Sequence, residues 1–237
     1  MIAALRKVWG VIERDVNRYF ALESRTGQAT TAEKLRILRT SSSLHAVLVH
    51  RLSHFVRCDL RGSRLQRPLG LLCSIAERIG GALWQVHINA AAEIGPGLYL
   101  CHQGGVWIGP VKIGADCSLT HNTTIGRRSD DDEGTPVLGN RVWVGTGSVL
   151  FGKISVGDGA TIGPLSAVSR DIPARALAMG NPARIVALDY DNSCQMDGLG
   201  SRAPVVGSVP APVEVRAVPA APTTDHSPAP QPSSAAG

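Results

Sequence analysis

The sequence predicts a mainly β protein, a parallel β-helix that follows a helical region and precedes a disordered tail. Between residues 88 and 168 an aliphatic residue recurs about every six positions, and glycine directly follows seven of these anchors. Residues 1–86 instead show apolar residues at helical spacing, and residues 203–237 are rich in Pro, Ala, Ser and Thr. The anchors are Ile88, Ile94, Leu100, Val106, Ile113, Leu119, Ile125, Leu138, Val144, Leu150, Val156, Ile162 and Val168.

A period of six fits neither an α-helix nor an amphipathic strand, whose periods are 3.6 and 2. It fits a short strand and a tight corner, and three such units close one triangular turn with the anchors pointing inward. Glycine at a corner relieves crowding and permits a positive φ. We expect just over four turns over residues 88–170, within a β-helix domain at 87–188. The alternative is an ordinary β-sandwich in which the spacing arises by chance.

The period breaks twice. Seven residues separate Val106 from Ile113, and thirteen separate Ile125 from Leu138. The second break predicts that residues 127–135 leave the coil as a protruding loop. Insertions in repeat folds map to one face, often the binding face, so this loop is expected to border any site.

The region 1–86 is predicted to be mainly helical, with candidate helices at 11–22 and from 31 to 38. Two apolar stripes at helical spacing follow, at 44–55 and 71–84. His45, His50 and His54 lie within the first stripe. They have no carboxylate or thiol partner at matching spacing, so surface or capping histidines are predicted there rather than a metal site. The five cysteines lack CxxC spacing and are expected to be reduced thiols.

Charge is unevenly distributed along the chain. Residues 1–86 hold 14 Lys and Arg against 6 Asp and Glu, a net +8, whereas the remainder is net −3. Such a basic region favours an anionic partner or surface, or else simply solvated helix faces. No apolar stretch has the form of a signal peptide or a membrane span, so a cytoplasmic protein is expected. Peripheral contact of the two stripes with the inner membrane face is one hypothesis. The other is that the two stripes pack on each other and on the first coil.

The tail from residue 189 to 237 cannot bury enough apolar surface to offset its ordering entropy, so it is predicted to be disordered. It has no basic run, which argues against nucleic acid as a partner.

Four segments between residues 101 and 186 have a distinctive sequence: CHQGGV at 101–106, TTIG at 123–126, VWVGTG at 142–147 and GNPARIV at 180–186. These segments resemble the left-handed β-helix acyltransferases, the hexapeptide-repeat transferases, and among them most of all the serine acetyltransferase group. The resemblance covers about one hundred residues and implies a left-handed coil, acetyl-CoA as the acyl donor and a homotrimer.

The resemblance also implies where acetyl-CoA binds. In such folds the pantetheine arm lies in a groove between the coils of neighbouring subunits, where small residues let it approach the backbone. Arg184, after the last coil, is expected to pair with a phosphate of CoA. No metal is expected, and the acidic run at 130–133 lacks the spacing of an EF-hand. The predicted groove residues are Gly126, Gly145, Thr146, Gly163 and Pro164.

Two coil histidines are the candidate catalytic residues. His102 and His121 each follow an anchor by two residues and are 19 positions apart, which is one turn plus the one-residue break. They should therefore occupy the same corner of successive coils, about 4.8 Å apart along the coil axis. Neutral imidazole can take a hydroxyl proton near pH 7. By resemblance, His102 corresponds to the histidine that acts as the base in the family.

The chain departs from the serine-specific pattern. Cys101 stands where the family has an aspartate, and Gly134-Thr135-Pro136 where serine-specific members resemble Arg-His-Pro. Trimmed amino-terminal helices, a histidine before the Thr-Ile-Gly segment and a loop that begins Gly126-Arg127-Arg128 look more like the exopolysaccharide branch, with the colanic-acid acetyltransferases as example. We therefore expect acetyl transfer to a sugar hydroxyl of a small-molecule or lipid-linked exopolysaccharide precursor. The alternatives are serine O-acetylation in cysteine biosynthesis, and a non-enzymatic scaffold or a zinc-dependent protein. A zinc site needs three histidines, and beside His102 and His121 there is only His87, at the edge of the coils.

Overall fold

The computed structural model describes residues 2–24, 28–102, 104–129 and 134–197. The chain begins with helices, and a π-helical turn at Phe55–Asp59 follows the third of them. Thr30 caps the second helix, because its side chain accepts from the Glu33 amide while the Glu33 carboxylate accepts from the Thr30 amide. The helices are α1 (Ile2–Glu23), α2 (Thr31–Thr40), α3 (Ser42–His54), α4 (Gln66–Trp84) and, near the end of the described chain, α5 (Ser193–Met196).

Fifteen short strands follow α4 in the described chain, and from β1 to β13 every third strand belongs to the same sheet. All neighbours pair in parallel except the last two, β14 and β15. The three sheets have the orders β1-β4-β7-β10-β13, β2-β5-β8-β11 and β3-β6-β9-β12-β14-β15. The strands are β1 (Val86–Ile88), β2 (Glu93–Ile94), β3 (Tyr99–Cys101), β4 (Val106–Ile108), β5 (Lys112–Ile113), β6 (Ser118–Thr120), β7 (Thr124–Gly126), β8 (Val137–Leu138), β9 (Trp143–Val144), β10 (Val149–Phe151), β11 (Ser155–Val156), β12 (Thr161–Ile162), β13 (Ala167–Val168), β14 (Leu177–Met179) and β15 (Arg184–Ala187).

This topology confirms the predicted parallel β-helix. It has five turns rather than just over four. The coil starts at Val86 and continues past the last hexad anchor, where Ile172 bridges to Val156 and β14 pairs with β12. The spacing in this last turn departs from six, which is why the hexad pattern missed it.

The anchors form the core, as predicted. Eleven of the thirteen are buried, and Ile88 and Ile94 are half-buried and pack against the others. One assignment was wrong: Val106 pairs with Val86, and Ile108 stacks between Ile88 and Ile125. Val106 and Ile108 both point inward from β4, so the spacing alone could not show which of them stacks on Ile88.

Six of the seven glycines that follow anchors, all but Gly126, allow close approach of a neighbouring coil and do not have a left-handed backbone. A Cβ on Gly114 would lie 2.5 Å from the carbonyl carbon of Gly139, and one on Gly145 would lie 2.6 Å from the nitrogen of Pro164. Neither glycine has a positive φ, so of the two properties expected of corner glycines, relief of crowding is the one used here. The next coil's backbone leaves no room for a side chain at these positions.

The open amino-terminal edge of the β-helix is covered by α1 and α3. Asp15 and Arg51 form a buried ion pair, with Nε and Oδ2 2.8 Å apart. Asp15 Oδ1 also accepts from the amides of Gly97 and Leu98, at 2.7 and 3.0 Å. Arg51 donates to the carbonyl of Ile94, the last residue of β2, and to that of Gly95 at 2.7 Å. An unpaired strand edge is thereby satisfied without another strand.

Two further α1 side chains complete this cover. The hydroxyl of Tyr19 accepts from the Leu100 amide at 3.0 Å, and the guanidinium of Arg18 donates to the Cys117 carbonyl and the Ser118 hydroxyl, both at 2.9 Å. The first two coils, which carry both candidate histidines, are therefore fixed to α1.

The carboxyl-terminal edge is covered differently, and the predicted start of the tail was wrong. β15 adds to β14, and residues 189–197 then lie against the last coils. Asn192 Nδ2 donates to the carbonyls of Arg141 and Gly159, at 2.9 and 3.1 Å, and Met196 is buried. One polar and one apolar anchor order this segment despite its polar composition. The rest of the predicted tail, 198–237, lies outside the described residues, and its disorder stays a prediction.

The two apolar stripes of the helical region have different fates. In α3, Leu44 and Val47 are buried, Leu44 against α1 and α2 and Val47 in the β-helix core. In α4, the large aliphatic residues stay exposed. The two helices pack on each other and on the first coil, as one of the two hypotheses had it, but only the stripe of α3 is buried by this packing. None of the described helices is long and apolar enough to cross a membrane.

The predicted loop separates β7 from β8, and β5 pairs with β8 across its base. Its ends, 127–129 and 134–135, are not strand, and its middle, 130–133, lies outside the described residues. That the loop borders the site stays a prediction.

Candidate functional site

The pairing of β3 with β6 sets the position of the two coil histidines. Leu100 faces Leu119 and Cys101 faces Thr120, so His102 and His121 come next on adjacent coils. Their ring centroids are 5.9 Å apart and the rings are nearly perpendicular, at 68°. The structure thus places the two rings side by side, as the spacing predicted.

His102 has an unusual backbone for its place in the coil. Its φ is +69°, and Gly104 and Gly105 after it are also left-handed. At the same corner of the next coils one residue is left-handed, Asn122 and then Gly147, and Gly105 is its counterpart in the first coil, where it stacks on Asn122. A non-glycine residue with positive φ is uncommon. The corner of the first coil is two residues longer than the next, and the exposed His102 is an additional left-handed residue within it.

His121 is half-buried, and its Nδ1 is buried without a hydrogen-bond partner among the described residues. Its carbonyl accepts from the Gly147 amide at 3.2 Å, so the backbone is held while the ring is not. Buried polar atoms are nearly always paired, and an unpaired one indicates a missing partner such as a ligand.

Cys101 has a protonated thiol at neutral pH. Burial, assisted by the charge of Glu23, raises its pKa. A neutral thiol cannot offer His102 the negative charge that the family's aspartate offers at this place.

Four of the six predicted cofactor residues continue the histidine corner. Leu119 pairs with Val144 and Val144 with Ile162, so the residues after these anchors stack below Thr120 and His121. Thr146 and Pro164 lie in the column of the histidines, and Gly145 and Gly163 lie one residue before them. The structure thus brings these four residues into line with His102.

Gly126 and Arg184 lie elsewhere. Gly126 ends β7 on the first sheet, and a Cβ there would meet nothing within 4 Å. Coil stacking therefore does not require glycine at this position, unlike at Gly145. Arg184 is exposed on β15, and within the described chain its guanidinium donates only to the Ala183 carbonyl, at 3.5 Å. It is available to an anion.

Gly126 borders a cavity of about 480 Å³ between α3, α4 and the first sheet. The outward side chains of β1 and β4 form one wall, where the rings of His87 and Trp107 stack at 4.0 Å. Sequence reasoning placed His87 at the edge of the coils and did not single out Trp107. Both precede an inward aliphatic residue, and that alternation was the available signal.

His50 also lines this cavity and is 3% exposed. Burial, with smaller contributions from Arg51 and His54, lowers its pKa to about 3, so its ring is neutral at physiological pH. His45 and His54 bond the carbonyls of Leu38 and Ala90. Within the described ranges, no three His, Cys, Asp or Glu side chains are placed to share a metal ion.

No protein-family model matches the chain, but individual proteins do. It is 34% identical over 158 residues to the serine acetyltransferase of Helicobacter pylori, covering 66% of this chain and 88% of that protein. It is 30% identical over 168 residues to the serine acetyltransferase of Mycobacterium tuberculosis, covering 70% of this chain and 69% of the relative.

Solved structures of serine acetyltransferases have a similar fold. The serine acetyltransferase of Brucella abortus superposes with a TM-score of 0.66 at 23% identity, covering 79% of this chain and 72% of that one, which shows the shared fold. The soybean serine acetyltransferase complexed with serine has a TM-score of 0.62 at 27% identity, covering 76% of this chain and 69% of that one.

These relatives overturn the predicted sugar acceptor. They are serine acetyltransferases, and the alignments to them, of 158 and 168 residues, are longer than the β-helix. The sugar interpretation rested on a few outward positions, such as Cys101 and Thr135. Those positions do not affect coil stacking and say little about which branch a chain belongs to. Assignment to exopolysaccharide biosynthesis was therefore wrong.

Proposed function

The chain belongs to the serine acetyltransferase family, and on that premise we propose that it transfers the acetyl group of acetyl-CoA to the hydroxyl of serine. Membership makes it an acyltransferase with a left-handed β-helix, as its sequence segments predicted. The observation that carries the proposal is the pair His102 and His121 at one corner, with ring centroids 5.9 Å apart and with a buried Nδ1 of His121 that has no partner among the described residues.

His102 is proposed as the general base. It is exposed at the corner, so its ring can reach a hydroxyl in the groove beside it. As the imidazole takes the hydroxyl proton, the serine oxygen attacks the thioester carbonyl and forms a tetrahedral intermediate. The intermediate collapses by breaking the carbon–sulfur bond, and the thiolate of CoA leaves. The proton returns from the imidazolium to that thiolate, which gives O-acetylserine and CoA.

His121 is proposed to hold His102 or the substrate rather than to take the proton itself. Its ring is half-buried beneath that of His102, and its unpartnered Nδ1 can hydrogen-bond a group bound in the groove. Because such a group would satisfy a buried polar atom, binding there is favoured.

The acetyl-CoA groove is proposed to follow the corner column below the histidines. Gly145 and Gly163 keep this part of the surface free of side chains, and Thr146 and Pro164 border it. Arg184 is proposed to pair with a CoA phosphate, since guanidinium binds phosphate strongly. A groove of this kind needs a second wall, which a neighbouring subunit supplies in the proposed homotrimer. Light scattering of the full-length protein tests the trimer, and a monomer at working concentration would contradict it.

The acceptor is tested by following CoA thiol release with a chromogenic disulfide, with L-serine, L-alanine and no acceptor in parallel. Thiol release that depends on L-serine is expected, with none on L-alanine, which lacks only the hydroxyl oxygen. The same low rate in all three reactions would contradict serine as the acceptor.

A peripheral contact between the amino-terminal helices and an anionic membrane surface is also a proposal. It is supported by the net charge of +8 over residues 1–86 and by the exposed stripe of α4.

A further inference from the structure

α4 presents a long apolar face that nothing in the described chain covers. Six large aliphatic side chains at and after its start are between 46% and 69% exposed. They are Leu65, Leu71, Leu72, Ile75, Ile79 and Leu83. Isolated exposed aliphatic residues are ordinary on protein surfaces, but a contiguous row marks an interaction surface.

The opposite face of α4 is already used. Gly80 and Gly81 are buried where α4 meets the start of the β-helix, and a Cβ on Gly81 would lie 2.5 Å from the His87 ring. Glu77 pairs with Arg57 on the same side, at 2.7 Å. Leu72, Ile79 and Leu83, by contrast, recur at helical spacing on the outward side. One face of α4 is therefore fixed to the protein, and the other is presented outward.

The polar groups beside this face are cationic. Arg61, Arg64, Arg67 and Arg78 are exposed along and just before α4. The single acidic residue between 60 and 84 is Glu77, whose charge is already paired with Arg57. An exposed aliphatic row bordered by arginines without acids is complementary to an apolar surface that carries negative charge.

We propose that α4 docks in the interface of an anionic lipid bilayer, with its aliphatic row among the upper acyl chains and its arginines on lipid phosphates. An apolar helix face with cationic borders is typical of helices that lie in the membrane plane. A second copy of the same face is the poorer occupant, because a twofold pairing of α4 with α4 would bring the arginines of both copies together without acids between them. The proposal is independent of the acceptor in the acetyl transfer.

The test is flotation of the full-length protein with two kinds of vesicle. One is a mixture of phosphatidylcholine and phosphatidylglycerol at about 3:1, and the other is phosphatidylcholine alone. Each is run at about 50 mM and about 500 mM NaCl, between which the Debye length shrinks severalfold. The protein is expected to float with the anionic vesicles at low salt, and to stay in the soluble fraction at high salt or with phosphatidylcholine. Absence of flotation with anionic vesicles at low salt overturns the proposal.

Two variants and a matched control locate the surface. Leu72→Ser with Ile79→Ser removes two side chains from the row, and flotation is expected to fall at least tenfold. Arg64→Gln with Arg67→Gln is expected to lower partitioning about 25-fold, since each arginine near an anionic surface contributes about fivefold. Leu35→Ser, on α2, removes an aliphatic side chain that is 68% exposed outside the row, and flotation should not change.

Circular dichroism and thiol release check that each variant folds, because none of these residues lies at the histidine corner. If the α4 variants float like the wild type, α4 is not the docking surface. If they instead lower the molecular mass seen by light scattering while flotation persists, a second copy covers the row, and the proposal is overturned in favour of a subunit interface.

Discussion

The corner that carries His102 and His121 in the first two coils carries Thr146 and Pro164 in the next two. The inward anchors before these residues are alike in all four coils: Leu100, Leu119, Val144 and Ile162 are each at most 1% exposed. The coils thus repeat their core and vary their corners. The inward residues of the coils determine the fold, and the outward residues at the corner determine the chemistry. The proposed proton transfer therefore belongs to the first two coils, and the proposed acetyl-CoA groove continues along the next two.

The backbone conformation also differs between the first corner and the corners of the later coils. The later coils have one left-handed residue at this corner, at Asn122, Gly147 and Leu165, and Gly105 is its counterpart in the first coil. The first corner holds two further left-handed residues, His102 and Gly104, and lies directly below the edge that α1 and α3 cover. It is therefore the least regular corner and the one most firmly fixed to the helices.

The largest effect is expected from His102→Ala. Loss of the general base should lower turnover with acetyl-CoA and serine by about 10²–10⁴, with a much smaller change in KM, because proton removal matters mainly in the transition state. Steady-state thiol release measures both. His45→Ala removes a histidine outside the corner and should leave turnover unchanged. Turnover of His102→Ala within a factor of a few of wild type would remove this residue from the role.

Asp15→Ala tests whether the helices hold the first coil in place. The side chain of Asp15 is fully buried and pairs with Arg51, so its removal leaves a buried, uncompensated guanidinium and should cost about 3–5 kcal/mol of unfolding free energy. Asp116→Ala is the control, because its partner Arg14 is 54% exposed, and it should cost less than about 1 kcal/mol. Urea denaturation compares the two. Equal losses would mean that the buried pair is not what secures the first coil.

Comparison of Gly145→Ala with Gly126→Ala distinguishes a glycine that coil stacking requires from one that is proposed only to leave space for acetyl-CoA. A Cβ at 145 would meet the Pro164 backbone at 2.6 Å, so Gly145→Ala should cost about 1–3 kcal/mol of stability. Gly126→Ala has open space and should fold with a change below about 0.5 kcal/mol. If the pantetheine arm passes Gly126, as the family resemblance implies, KM for acetyl-CoA rises in that variant. Unchanged stability in both would contradict the stacking argument, and an unchanged KM would take Gly126 out of the groove.

His121→Ala should have a smaller effect than His102→Ala. If His121 positions the base or the substrate through one hydrogen bond, turnover should fall about tenfold, the size of about 1.4 kcal/mol. Combined with His102→Ala, it should add little further loss, since neighbours that act as a unit are not additive. A double variant whose losses multiply would show that the two histidines act independently.

Much of the fold and of the corner could be predicted from the sequence, because both follow from a repeat. The inward column fixes the β-helix, and the spacing of His102 and His121 fixes their neighbourhood. The sequence could not show whether Val106 or Ile108 stacks on Ile88, because both are aliphatic and both point inward. Periodicity likewise indicates an apolar face on α3 and on α4 but not whether another element covers it.

The ordered segment at 189–197 escaped prediction because one asparagine and one methionine hold it, and neither changes the composition. The acceptor was predicted wrongly for a similar reason. It depends on a few outward side chains at a corner, and these vary without altering the core that makes the family recognisable.

The central claim is that the histidine corner of the first coils moves an acetyl group onto the hydroxyl of serine. It is tested most directly by incubating the protein with acetyl-CoA and L-serine labelled with ¹⁸O in its hydroxyl, followed by mass spectrometry of the product. Labelled O-acetylserine is predicted for the wild type and, at His102→Ala, at most about a hundredth as much in the same time. The claim is contradicted if no acetylserine forms, or if the wild type and His102→Ala form it at the same rate.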